Sequence, residues 1–167
     1  MPYKIEDLAY IAGVLDSDGY IGMTYTIEKR HRTPPTKSYS AIVKVTQCKP
    51  QAINLIKDMF GGHIYIMTKG INQRDQTTVA IARREEVKEL LTAVFPYLRI
   101  KSEQAKLVLE YIRIREAKRQ KTKIGSKGRL CFPVFRGRQG TEEETLWLNV
   151  KSLNQTGRRY DYAVSSA

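Results

Sequence analysis

Cysteine, histidine and acidic residues are all scarce in this chain of 167 residues. Cys48 and Cys131 stand 83 positions apart, which excludes a disulfide framework and any C-x-x-C metal pair. His31 sits among loop prolines and His63 follows a glycine pair, so neither is assigned a catalytic role. Long apolar runs are missing too, and a membrane span needs about 20 such residues. Near the start, Glu6 and Asp7 occupy positions where a secretion leader would be basic and then apolar. The expectation is an intracellular, cytoplasmic protein, with an organelle left open and no membrane partner.

Against 17 Asp and Glu the chain carries 29 Lys and Arg, a formal charge of +12. This excess is regional: residues 99–140 hold 13 basic and 3 acidic residues, a net of +10, leaving +2 for everything else. Such a concentration repels itself and calls for a polyanion, nucleic acid first and an anionic membrane second. A merely solvated basic surface is the bland alternative. No basic helix with a broad apolar face accompanies the charge, which weakens the membrane option.

Apolar residues recur at helical spacing from Ile5 to Leu15, which predicts a helix ending near Asp16-Ser17. After Asp18-Gly19 the period becomes two: Ile21, Met23, Tyr25 and Ile27 alternate with Tyr20, Gly22, Thr24, Thr26 and Glu28. A Pro-containing loop, 29–37, leads to a second alternating run, with Tyr39, Ala41, Val43 and Val45 opposing Ser38, Ser40, Ile42, Lys44 and Thr46. Pro50 suits the first turn of a helix that Gly61-Gly62 stops. A second hairpin follows, Ile64 to Thr68 and Thr77 to Ala82 about a turn at Gly70-Ile71-Asn72, and then helices over 87–94 and from Ser102 through Ile112. Residues 118–140 show little periodicity and read as a loop or basic arm, while Thr141-Glu142-Glu143-Glu144 opens a final helix. The expected fold is α+β: an αββαββα core over 1–117 with an antiparallel sheet and its helices on one face, the arm 118–140, and a C-terminal helix and tail over 141–167. The other face stays polar, with Thr24, Thr26, Arg30, Ser38, Ser40, Lys44, Gln76 and Thr78, groups suited to groove edges and phosphates.

The segment Ile11-Ala12-Gly13-Val14-Leu15-Asp16-Ser17-Asp18-Gly19 is the most informative. On a helix, Ala9, Ala12, Gly13 and Asp16 form one small-residue stripe that lets a second helix approach closely. Gly13 costs about 1 kcal/mol relative to Ala inside a helix, which points to backbone contact there. Asp16 and Asp18 come at the carboxyl end, where the macrodipole disfavours an uncompensated carboxylate. A divalent cation would offset them. A plain Asp-Gly turn leaves the stripe unexplained, and an EF-hand loop fails because Ile27 stands where its closing Glu belongs.

These nine residues resemble the LAGLIDADG motif of homing endonucleases, and the helix-to-strand switch and αββαββα order extend the resemblance over about residues 5–116. Val45-Thr46-Gln47 and Pro96-Tyr97-Leu98-Arg99-Ile100-Lys101 are similar to the single-motif branch. With one copy of the motif, the resemblance implies a homodimer of formal charge +24 in which Ala9, Ala12, Gly13 and Asp16 face the partner, on a pseudo-palindromic site. It implies a site-specific double-strand endonuclease leaving short 3′ overhangs. Its Mg²⁺, replaceable by Mn²⁺ or Ca²⁺, would be held by Asp18 and the Ser17 carbonyl. Gln47 would order water and Lys101 would offset transition-state charge. Where the family tends to carry a basic residue, near Gln51, this chain has a neutral amide, with Lys49 two positions before it. DNA contacts would come from the polar face, with Gly22, Glu28, Ile42 and Thr68 added, and from Lys121, Lys123, Arg136 and Arg138 of the arm. The rival reading is an RNA-splicing maturase or a non-cleaving nucleic-acid-binding relative, with intron RNA as partner.

Overall fold

The computed structural model describes residues 3–28, 36–68, 74–122 and 142–155. Arg30, the turn at 70–72, Lys123, Arg136, Arg138, Thr141 and the tail lie outside them. The elements run α1 Ile5–Asp18, β1 Gly19–Glu28, β2 Thr36–Gln47, α2 Gln51–Phe60, β3 His63–Met67, β4 Gln76–Ile81, α3 Arg84–Val94, a 3₁₀ turn Phe95–Tyr97, α4 Ser102–Thr122 and α5 Glu142–Gln155. The four strands form one antiparallel sheet in the order β1-β2-β4-β3. The expected α+β architecture is therefore present.

Strand alternation sends Ile21, Met23, Tyr39, Ala41, Val43, Val45, Val79 and Ile81 into a core shared with Ile11, Leu15, Ile53, Ile56, Leu90, Leu91 and Ile112 of the helices. The alternation outlasts the helical layer: Tyr25 and Ile27 share the inward face of β1 yet are 42% and 53% exposed. Trp147 of α5 stands edge-on to Tyr25 there, 5.2 Å between ring centroids. Gly61 and Gly62 end α2 with φ of 80° and 92°, and a Cβ on Gly62 would lie 2.7 Å from Ile81 Cγ1 and 2.9 Å from the Ala80 carbonyl oxygen. Only glycine fits that turn without displacement.

One boundary differs from expectation. The arm was to begin at residue 118, whereas α4 continues to Thr122. Ala117, Lys118, Arg119, Gln120 and Lys121 are all strong helix formers, so propensity carries the helix on where no apolar period marks it. α5 adds an anchor: Glu143, 7% exposed, lies 3.0 Å from Lys118 and 3.6 Å from Arg115 of α4, while Lys37 reaches Glu144 at 2.7 Å. Among the described residues no helix is long and apolar enough to cross a membrane.

Candidate functional site

The motif helix passes into β1 with no intervening loop. The Gly19 N–H closes the last turn on the Leu15 carbonyl, and a Cβ on Gly19 would come within 2.6 Å of that same oxygen. Glycine at this step therefore sets Asp18 at the junction of helix and sheet. Because Gly19 pairs with Val45, Gln47 lies two residues further along β2, beside the end of α1. Its side-chain amide donates to Asp18 Oδ2 at 3.1 Å. Asp18 is exposed, and together with Gln47 it opens on a cleft of about 670 Å³ that Tyr10, Cys48, Lys49 and Gln51 also line.

The second motif acid is used differently. Asp16 accepts hydrogen bonds from the backbone N–H groups of Arg99 (2.7 Å), Ile100 (3.2 Å) and Lys101 (2.9 Å), in the bend that opens α4. In return the Lys101 ammonium donates to the carbonyls of Leu15 at 2.7 Å and Gly19 at 2.6 Å, with the Ser17 carbonyl at 3.5 Å. Each side chain thus satisfies the backbone end of the other's helix. Burial pushes the Lys101 ammonium below the usual lysine range, and the carboxylates of Asp16 and Asp18 oppose that shift.

This arrangement divides the predicted stripe. Ala12 is fully buried in the protomer's own core and so is withdrawn from a partner helix, while Asp16 is half-buried and bonded to the 99–101 amides. Spacings of three and four select a sector of the helix wide enough to straddle the core boundary. Ala9 and Gly13 remain exposed, a Cβ on Gly13 would meet nothing within 4 Å, and Ile5 and Tyr10 beside them are 64% and 52% exposed.

On the polar face, Thr24 lies opposite Ser40, Thr26 opposite Ser38 and Tyr20 opposite Lys44. Thr24, Thr26, Ser40 and Thr68 are exposed; Ser38, Ile42, Lys44 and Gln76 are half-buried. Two of the predicted DNA contacts are not available. Thr78 is 1% exposed, its hydroxyl 2.8 Å from that of Thr46 across the β2–β4 pair, because central strands cover their own short side chains. Gly22 is buried under the Tyr20 side chain. Glu28 pairs with Thr36, and Lys121 lies in the last turn of α4. Sequence reasoning overlooked Tyr10, Tyr20 and Tyr65, all exposed or half-buried; strand parity alone puts Tyr65 beside Thr78 on the polar face.

Among the described residues no cluster of three or more His, Cys, Asp or Glu could hold a metal ion. One carboxylate and the nearby Ser17 carbonyl are nonetheless hard oxygen donors. Gln47, which bonds Asp18, is neutral and leaves the negative charge of the carboxylate in place. That set suits Mg²⁺, which binds one or two carboxylates and completes its shell with water and phosphate.

No protein-family model matches the sequence, and no curated protein matches it. Solved structures do. The homing endonuclease I-TnaI is 15% identical with a TM-score of 0.54, over 92% of this chain and 99% of that one. I-CvuI, in complex with its DNA target in the presence of Ca, is 22% identical with a TM-score of 0.51, over 90% and 98%. The group I intron-encoded I-CeuI complexed with DNA is 12% identical with a TM-score of 0.56, over 72% of this chain; the chain spans only 60% of that relative's length. At these identities the likeness is one of architecture: this chain has the fold of the LAGLIDADG homing endonucleases.

Proposed function

We propose that the chain is one half of a homodimeric, Mg²⁺-dependent endonuclease. It hydrolyses both strands of a long pseudo-palindromic DNA site across the minor groove and leaves short 3′ overhangs. The observation that carries this reading is the exposed Asp18, bonded to Gln47 at the mouth of an open cleft and mounted on a helix whose Ala9–Gly13 face is bare. The structural neighbours I-CvuI and I-CeuI are described as DNA complexes, which supports duplex DNA as the partner.

Packing α1 against the same face of a second copy through Ile5, Ala9 and Gly13 brings two Asp18 carboxylates to a common dyad. Asp18 and the Ser17 carbonyl would hold the cation, which supplies an acidified water and charge neutralisation at the leaving oxygen. Gln47 orients the Asp18 carboxylate and keeps an amide in the cleft to order water. The hydroxyls and amides of the polar face follow the groove, as a β-ribbon can in DNA. A maturase would need the basic surface but not this carboxylate, and its open placement favours the nuclease.

The full chain is incubated with a randomised duplex library in Mg²⁺, and recovered ends are sequenced. The expected result is cutting at one pseudo-palindromic sequence in Mg²⁺ and binding without cutting in Ca²⁺. Binding of intron RNA with no duplex cut would overturn the reading.

A further inference from the structure

The outer face of the β1–β2 hairpin is polar along most of its length, with Thr24 opposite Ser40 and Thr26 opposite Ser38. At its base the pattern breaks. Tyr20 stands opposite Lys44, and two residues further on Gly22 stands opposite Ile42. Gly22 has no side chain to offer a duplex, and the space above it belongs to Tyr20. A Cβ on Gly22 would come 2.5 Å from the Tyr20 hydroxyl oxygen, 2.6 Å from its Cζ and 2.8 Å from its Cε1. The phenol ring therefore lies along the strand over the Gly22 backbone, where strand side chains ordinarily stand off the sheet.

The ring is also held at its tip. Asn154 of α5 donates to the Ile21 carbonyl at 3.0 Å and bonds the Tyr20 hydroxyl as well. With the hydroxyl engaged at the β1 edge, what Tyr20 presents outward is its apolar ring, 38% of the residue remaining exposed. Ile42 on the neighbouring strand is half-buried. These two are the apolar side chains among the outward residues of β1 and β2, and Lys44, Thr24 and Ser40 bound them.

In the major groove the base edges carry donors and acceptors and a single apolar group, the C5-methyl of thymine. A small apolar patch set among polar groups is complementary to that methyl. Tyr20 comes two residues after Asp18, about 7 Å along an extended strand, so the base it meets lies within a few base pairs of the cut.

Resting on the nuclease reading above, we propose that the flat Tyr20 ring, with Ile42, is a specificity determinant that packs on the C5-methyl of one thymine in each half-site. Gly22 and Asn154 are positioning residues, which act only by laying the ring down and holding it.

The test uses the full chain and the duplex selected from the library, with deoxyuridine replacing thymine one symmetric pair at a time, a change that deletes only the methyl. The parent is expected to lose about fourfold in affinity per half-site in Ca²⁺ at one pair near the cut, the effect of one buried methyl group. Tyr20→Ser should bind the two duplexes equally, Tyr20→Phe should discriminate as the parent does, and Gly22→Ala, whose Cβ lifts the ring, should lose most of the discrimination. A Tyr20→Ser variant that still discriminates, or a Tyr20→Phe variant that does not, overturns the assignment to the ring. Unchanged discrimination in Gly22→Ala overturns the role given to Gly22. A parent that cuts its duplex but is indifferent to every thymine methyl overturns this inference alone, whatever the variants do, whereas a parent that cuts no duplex overturns the nuclease reading itself.

Discussion

The end of the motif helix has two sides, and each holds one carboxylate. On the inner side Asp16 accepts from three backbone N–H groups, which join the end of α1 to the bend that opens α4. On the cleft side Asp18 takes one side-chain amide and otherwise faces solvent. Two acids separated by one residue therefore have opposite tasks. A carboxylate with most of its acceptor positions taken stabilises a fold, while one kept under-bonded at an open surface can accept a cation or substrate.

The largest effect separates these sides by chemistry. Asp18→Asn keeps the shape and a partner for Gln47, and is expected to reduce cleavage at least about 10³-fold while duplex binding in Ca²⁺ and the melting temperature hold. Retained cleavage would remove the functional side of the contrast. Asp16→Ala acts the other way. Three amides lose a charged acceptor, and thermal unfolding should show a loss of about 2–3 kcal/mol, since each such bond contributes at least about 1 kcal/mol and the bend is partly open to water. An unchanged melting curve would mean that the clasp adds nothing.

Gly13→Leu sharpens the picture of the bare face. A Cβ there meets nothing in the protomer within 4 Å and leucine improves helix propensity by about 1 kcal/mol, so the monomer should be no less stable, while sedimentation should shift from dimer to monomer. A dimer of unchanged mass would relocate the interface. The smallest effect concerns the core far from the cleft. Burial raises the Tyr111 hydroxyl above the ordinary phenol range, and it donates to the Tyr39 carbonyl. The unfolded chain ionises near pH 10 and the folded chain above it, so this stabilisation is complete below pH 10 and lost as pH rises through the folded value. Tyr111→Phe should flatten the alkaline decline in stability measured by urea titration.

Much of this is legible in the sequence. The change of period at Asp18-Gly19 marks the helix-to-strand step, and the alternation of 20–28 and 38–46 gives the hairpin. The glycine pair after Phe60 stops α2 where expected. What escaped reading joins distant parts of the chain. Nothing local in Asp16 or Lys101 announces a clasp between residues 85 positions apart. Ala12 and Thr78 were misplaced for a related reason: periodicity gives the side a residue faces, but burial depends on what the fold lays across that side. The extra turn of α4 follows from propensity and from the Lys118–Glu143 pair, neither of which carries a periodic signal.

The decisive measurement is Mn²⁺ anomalous diffraction from crystals of the full chain on its selected duplex. Two protomers per duplex, with manganese density about 2.1 Å from Asp18 of each at the scissile phosphates, is the expected result. A single protomer on the DNA, or manganese bound away from both Asp18 carboxylates, would contradict it.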